Sequence, residues 1–261
     1  MTRKGLMRRI YELLKVRAVC ETTFRLRFLY FTRVKRSLRS FEDFKGVLGH
    51  THNLRALSTG RTSHRILKLI QPLAVIDKLV AESRILVIGC RFETDLLYLV
   101  GYGFAPANVR GLDMLSYSPW VDLGNMHNLP YIDDNWDAVV LGWTLAYSSE
   151  PERAASEIVR VTRDGGLVAI AVSYYPRNRL DEMERQGTLI GENMKRIQTA
   201  RQMFDLFAPY VDRVYFNHDV SDPSKDGHCM VIFSVNKAVG RTVTRSTGGR
   251  GEDREAGTAS T

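Results

Sequence analysis

Short runs of Val, Ile and Leu, each separated from the next by a stretch of helical period, set the strongest limit on what this chain can become. The runs are RILVIG at 84–89, NVRGLD at 108–113, WDAVVLG at 136–142, GLVAIAVS at 166–173, VDRVYF at 211–216 and CMVIFSV at 229–235. Between them, residues 94–100, 151–162 and 199–207 repeat their apolar side chains at helical spacing, with Pro151 suited to a first turn. Continuous apolar strands alternating with helices are buried on both faces. The expected fold is therefore α/β, a mostly parallel sheet with helices on both sides. The last two runs are joined only by NHDVSDPSKDG, which leaves no room for a covering helix and predicts an antiparallel hairpin at one sheet edge.

The regions flanking this pattern differ in character. Residues 63–82 read as one or two helices, with Pro72 marking a break or a fresh first turn. Residues 41–62, rich in Gly, His, Thr and Ser, read as a connector, and the stretch from 238 to 261 lacks nearly all large apolar residues and is expected to be disordered. The division that follows is a basic amino-terminal segment with its connector at 1–62, an α/β domain at 63–237, and a tail. Within the domain, residues 173–199 form an insertion after the fifth strand run, on the side where such sheets bind ligands.

Charge is concentrated at the start. Residues 1–40 hold twelve Lys or Arg against Glu12 and Glu21, a local excess of +10, so that the other 25 basic and 27 acidic residues nearly cancel. Leu6, Met7, Ile10, Leu13, Leu14 and Ala18 recur there at helical spacing, which gives a basic amphipathic helix. Residues 23–31, TFRLRFLYF, suit either a strand or a helix with Phe24, Phe28 and Phe31 on one side. Two roles are open for residues 1–40: packing on the domain through the apolar stripe, or adhesion to an anionic membrane face. Nucleic acid is a weaker match, since no zinc finger, aromatic platform or helix-turn-helix accompanies the charge. No apolar stretch approaches the ~18–20 residues that cross a bilayer, and Glu12 and Lys15 interrupt any leader-like core. Three widely spaced cysteines, Cys20, Cys90 and Cys229, form no metal-type pair and suit a reducing cytoplasm, with the inner membrane face as a second setting.

Four motifs then fall in a fixed order: ILVIGCRFETDLLYL at 85–99, GLD at 111–113, GNMHNLPYIDDNWDAVVLG at 124–142 and EIVRVTRDGGLVAI at 157–170. Together they resemble the class I methyltransferases that use S-adenosylmethionine. The resemblance covers roughly a third of the chain and implies a Rossmann-like, seven-stranded sheet. It also implies a cofactor site. Gly89, Cys90 and Arg91 would form the loop beside the methionine portion, Asp113 would accept from the ribose hydroxyls, Asn125 and Met126 would contact adenine, and Trp143 would face the cofactor or the acceptor. Plainer roles stay open beside these: a tight turn for Gly89, a cap or surface carboxylate for Asp113, core positions for Met126 and Trp143.

The loop departs from the family pattern. Val87 stands where an acid is usual, and Arg91 and Glu93 replace two glycines. A dinucleotide's pyrophosphate would be repelled by Glu93, whereas a sulfonium and an ammonium would not, so the methyl donor is the better match. No residue set suggests a metal. Weak candidates for a base or acceptor contact are His127, Tyr174 and His218, with Tyr175 and His228 beside them. The expectation is an S-adenosylmethionine-dependent methyltransferase acting on oxygen of a small-molecule, sugar or lipid-linked acceptor. The alternative is a methyltransferase-like scaffold or regulatory protein that has lost cofactor binding.

Overall fold

The computed structural model describes residues 3–41, 48–59, 62–188, 191 and 193–239. Seven strands form the main sheet: β2 (Ile85–Ile88), β3 (Val109–Asp113), β5 (Val121–Leu123), β6 (Trp136–Gly142), β7 (Thr162–Tyr174), β8 (Val211–His218) and β9 (Gly227–Val235). Their order across the sheet is β5-β3-β2-β6-β7-β9-β8, with only β9 antiparallel to its neighbours. The mostly parallel sheet with an edge hairpin is thus as expected. From β2 the chain winds outward in one direction through β3 and β5, then returns to the other side of β2 as β6. That reversal opens a crevice at the carboxyl ends of β2 and β6, the place where open α/β sheets bind ligands.

Alternation along the strands explains why both faces are covered. Ile85 and Val87 enter one core, with Ala138, Val140 and Ala169, while Leu86 and Ile88 enter the other, with Val139, Leu141 and Ile170. The first core is closed by α4 (Leu67–Ala74), α5 (Thr94–Gly101) and the amino-terminal helices, and the second by α6 (Pro151–Val161) and α8 (Ala200–Phe207). Pro72 lies inside α4 instead of at a break. It lacks the N–H for one intrahelical bond, and the helix stops two residues later. The insertion carries α7 (Arg177–Arg185), whose first-turn Arg179 pairs with Glu182 at 2.7 Å.

The amino-terminal segment is helical and packs on the domain. It comprises α1 (Arg3–Glu12), a 3-10 turn, α2 (Arg17–Leu29) and a π turn over Tyr30–Val34, so the ambiguous stretch 23–31 is helix. Leu14, Cys20 and Phe24 are buried against α5, and Phe24 meets Phe92 edge-to-face at 5.6 Å. The outer side of the same segment is apolar too: Leu6, Met7, Ile10 and Leu13 are each about half exposed, as are Leu29 and Tyr30. A short antiparallel pair, β1 (Arg39–Ser40) with β4 (Leu115–Ser116), ties the segment to the loop after β3. The stretch read as a connector contains α3 (Leu48–Thr59), because Leu54 and Leu57, three apart, pack on the core despite the polar composition around them. Of the tail expected at 238–261, residues 240–261 lie outside the described residues.

Candidate functional site

Gly89 leaves β2 with φ +75, and a Cβ there would overlap the side chain of Thr144. Thr144 follows β6 across the crevice and donates its hydroxyl to Ile88 O at 3.2 Å, which joins the two strand exits. Cys90 turns downward: its sulfur occupies the space a Cβ at Gly111 would need, and burial raises its thiol pKa well above the ordinary value.

The two bulky loop residues go separate ways. Glu93 is fully buried and points away from the crevice, into a bidentate ion pair with Arg27 of α2 at 2.7 and 2.9 Å. Ser118 also donates to it, and Arg27 in turn lies over Trp120 at 4.4 Å. Glu93 therefore does not obstruct a ligand. Arg91 stays at the crevice, where its Nε is buried with no hydrogen-bond partner among the described residues. Its charge acts on Asp95 and Asp113 and on His52 of α3, whose pKa is lowered first by burial and then by Arg91.

Asp113 ends β3 nearly buried. Its Oδ1 accepts from Leu115 N–H at 3.0 Å, and burial pushes its pKa up to about 6. Among the described residues the carboxyl accepts only backbone N–H groups, so lone pairs remain for a ligand's hydroxyls. Asp95, in the first turn of α5, is pushed up to about 7 by burial, partly offset by Arg65 and Arg91. The adenine-loop residues are more self-contained. Asn125 Oδ1 accepts from His127 N–H at 3.0 Å, Met126 packs on the second core, and His127 Nε2 meets Ser148 Oγ at 2.6 Å.

Trp143 lies just past β6, buried, with φ +63, a conformation that costs a bulky residue backbone strain and so marks a constrained site. Its indole N–H donates to His228 Nδ1 at 3.2 Å, and the guanidinium of Arg65 lies over the ring at 4.6 Å. Arg65 reaches solvent, yet the protein around its head group lowers its pKa; Tyr147, Asp95, Arg91 and Tyr175 all act on it. Beside it a cavity of about 380 Å³ is lined by Lys68, Tyr175, His218 and His228 among others. Strand register puts this cavity on the same carboxyl edge as Gly89 and Asp113, since Ser173 pairs with His228 and His218 with Met230. Tyr174 does not join it; its hydroxyl donates to Pro223 O at 2.9 Å. A larger cavity, about 570 Å³, lies between α6 and α8, lined by Glu152, Arg196 and Phe207, apart from these residues.

The structure thus brings Gly89, Arg91, Asp113 and Trp143 to one edge, with His218 and His228 beyond them, while the His127 ring and the Tyr174 hydroxyl are bonded to Ser148 and to Pro223 O. Sequence reasoning missed Arg65, Asp95 and Thr144. Asp95 had a local signal, an acid in the first turn two residues past the loop, whereas Arg65 and Thr144 meet the site only through the fold.

Comparison with known proteins bears on the same segment. Residues 86–170 match the family model described as a methyltransferase domain. The demethylmenaquinone methyltransferase of Thermobifida fusca (strain YX) is 31% identical over 106 residues, which is 40% of this chain and 42% of that one. That of Streptomyces avermitilis is 38% identical over 60 residues, 22% of this chain and 26% of its own. The chain thus matches less than half the length of these curated relatives. Among solved structures, a possible histamine N-methyltransferase from Thermotoga maritima is 18% identical, with a TM-score of 0.44 over 71% of this chain and 99% of that one. The 86–170 match lies on the strand order and glycine turn described above, so this segment is similar to a methyltransferase domain in both sequence and topology.

Proposed function

We propose that this protein is an S-adenosylmethionine-dependent methyltransferase acting on a small-molecule acceptor. The observation that carries the reading is Asp113: a nearly buried carboxylate at the end of β3, beside the sheet's reversal point, with acceptor capacity left over. Such a cofactor supplies an electrophilic methyl group on a sulfonium. Asp113 would hold the ribose hydroxyls, and the mixed-sign lining of Asp95 with Arg91 and Arg65 suits the zwitterionic amino-acid end, standing in for the acid missing at Val87. With the transfer running in line, these residues chiefly align the two reactants.

The acceptor would enter by the cavity next to Trp143. The relatives named above are demethylmenaquinone methyltransferases, which favours a quinone- or phenol-type acceptor over the sugar or glycan acceptors that the chain's charge also allows. Methylation on oxygen needs a group to take the hydroxyl proton, and of the histidines here His127 is bonded to Ser148 and His228 Nδ1 to Trp143, which leaves His218. The exposed apolar side of α1, set in a segment of +10, supports a second part of the proposal: the protein works at an anionic membrane face.

Calorimetry with S-adenosylmethionine and S-adenosylhomocysteine tests the cofactor. Binding is expected, and Asp113→Ala should weaken it by roughly 10- to 150-fold, the equivalent of about 1.5–3 kcal/mol for a charge-assisted bond, without loss of the folded state. No heat and no thermal shift at millimolar ligand would favour the non-catalytic scaffold instead.

A further inference from the structure

The cavity beside Trp143 has a donor-rich lining whose protonation is set by geometry. An indole N–H only donates, so the bond from Trp143 Nε1 to His228 Nδ1, 3.2 Å long, requires a lone pair on Nδ1. The neutral His228 ring therefore carries its proton on Nε2, the nitrogen left to the cavity that the residue lines. Burial, then the charges of Lys68 and Arg65 and the neighbouring His218, disfavour a second proton on the ring. In this state His228 offers an N–H and no basic lone pair. Lys68 adds an ammonium from α4 at the same wall, and the one carboxylate in the lining, Asp226, has Arg179 at 3.8 Å. The rest of the lining is the imidazole of His218, the Tyr175 ring, Met230 and the backbone of Gly227.

Two donors beside the Tyr175 ring, with His218 as the basic group of the same lining, select an acceptor molecule by its charge. We infer that this cavity binds a planar ring in its oxyanion form, a phenolate or enolate, with His228 Nε2–H and Lys68 Nζ donating to the anionic oxygen. This inference rests on the methyltransferase reading for the identity of the bound ring as methyl acceptor, and it names that acceptor's class. It assigns His228 as a donor that holds the acceptor and not as the base that deprotonates it. The acceptor arrives ionised, or loses its proton to His218 or to solvent as it binds, because the donors lower the cost of its charge.

The test uses 4-nitrophenol, whose absorbance reports its ionisation, and 4-nitroanisole, the same ring with the oxygen capped by methyl. Equilibrium titrations of the full chain at neutral pH are made with and without saturating S-adenosylhomocysteine. The nitrophenol is expected to bind as phenolate, at least about tenfold tighter than the anisole, and Lys68→Met, a change at an exposed side chain, to cost the phenolate about tenfold while leaving the anisole unchanged. In ¹⁵N spectra His228 should show the Nε2–H tautomer, and Trp143→Phe should release that bias. Equal binding of the two probes, uptake of the phenol in neutral form, or an Nδ1–H tautomer in the unaltered protein would overturn the inference. Heat from S-adenosylhomocysteine alongside any of these outcomes leaves the cofactor reading standing, whereas selective phenolate binding without that heat leaves the donor site standing and removes the cofactor reading.

Discussion

Asp95 shows how a single carboxyl links the site to stability. Its pKa rises from 3.8 to about 7 on folding, and that of Asp113 rises from 3.8 to about 6, in both cases chiefly by burial. A raised folded value means the native state holds the proton more tightly than the unfolded chain does. The contribution of these groups is thus most favourable below about pH 4, declines as pH rises, and levels off above about pH 7. Asp95→Asn should remove much of this penalty: we expect a gain of about 2 kcal/mol at pH 8, less than the full linkage value because Arg65 and Arg91 face the group, and little gain at pH 4. Urea unfolding at the two pH values checks this, and a variant less stable than the parent at pH 8 would show that the carboxylate is a net favourable partner there. Gly89 and Asp113 were expected at the ends of two apolar runs, and they lie at the ends of β2 and β3. The fate of Glu93 was not legible, because its partner Arg27 is 66 residues away and no local pattern records that pairing.

At the scale of elements, α2 is part of the loop architecture and not an appendage to it. Arg27 reaches from α2 to the position where related loops have a glycine, so the bulk of Glu93 is balanced by a cation from outside the sheet domain. Arg27→Ala would leave a fully buried carboxylate with neutral donors only, at an expected cost of about 3–5 kcal/mol. Arg27→Met with Glu93→Gln should recover most of it, since both charges then leave the interior together. Denaturant midpoints of the two variants decide the matter; equal losses in both would mean that shape, not charge, holds the helix. Six strands were readable from their Val and Ile runs. β5, three residues long, and α3, hidden in Gly-, His- and Thr-rich sequence, carry too few apolar residues for any period to stand out.

Taken as a whole, the molecule presents two unlike outer surfaces: α6 and α8 on one side of the sheet, and on the other the basic helices with Leu6, Met7, Ile10 and Leu13 turned outward. No helix among the described residues is long and apolar enough to cross a membrane, so any lipid contact through a helix would be lateral. The full chain is expected to sediment with vesicles of phosphatidylcholine containing a third phosphatidylglycerol at low salt, to be released as salt rises, and to lose binding in Leu6→Asp with Ile10→Asp at unchanged melting temperature. If the intact protein stays in the supernatant at low salt, the membrane role is wrong. Charge clustering made this surface visible in sequence, but only the fold shows that α2 turns its Phe24 inward while α1 keeps its stripe outside. The fold also fixes how the crevice behaves mechanically. Because Thr144 nests where Gly89 has no side chain, the exits of β2 and β6 are pinned together as one rigid jaw, and an entering ligand meets two strand ends whose spacing is already set.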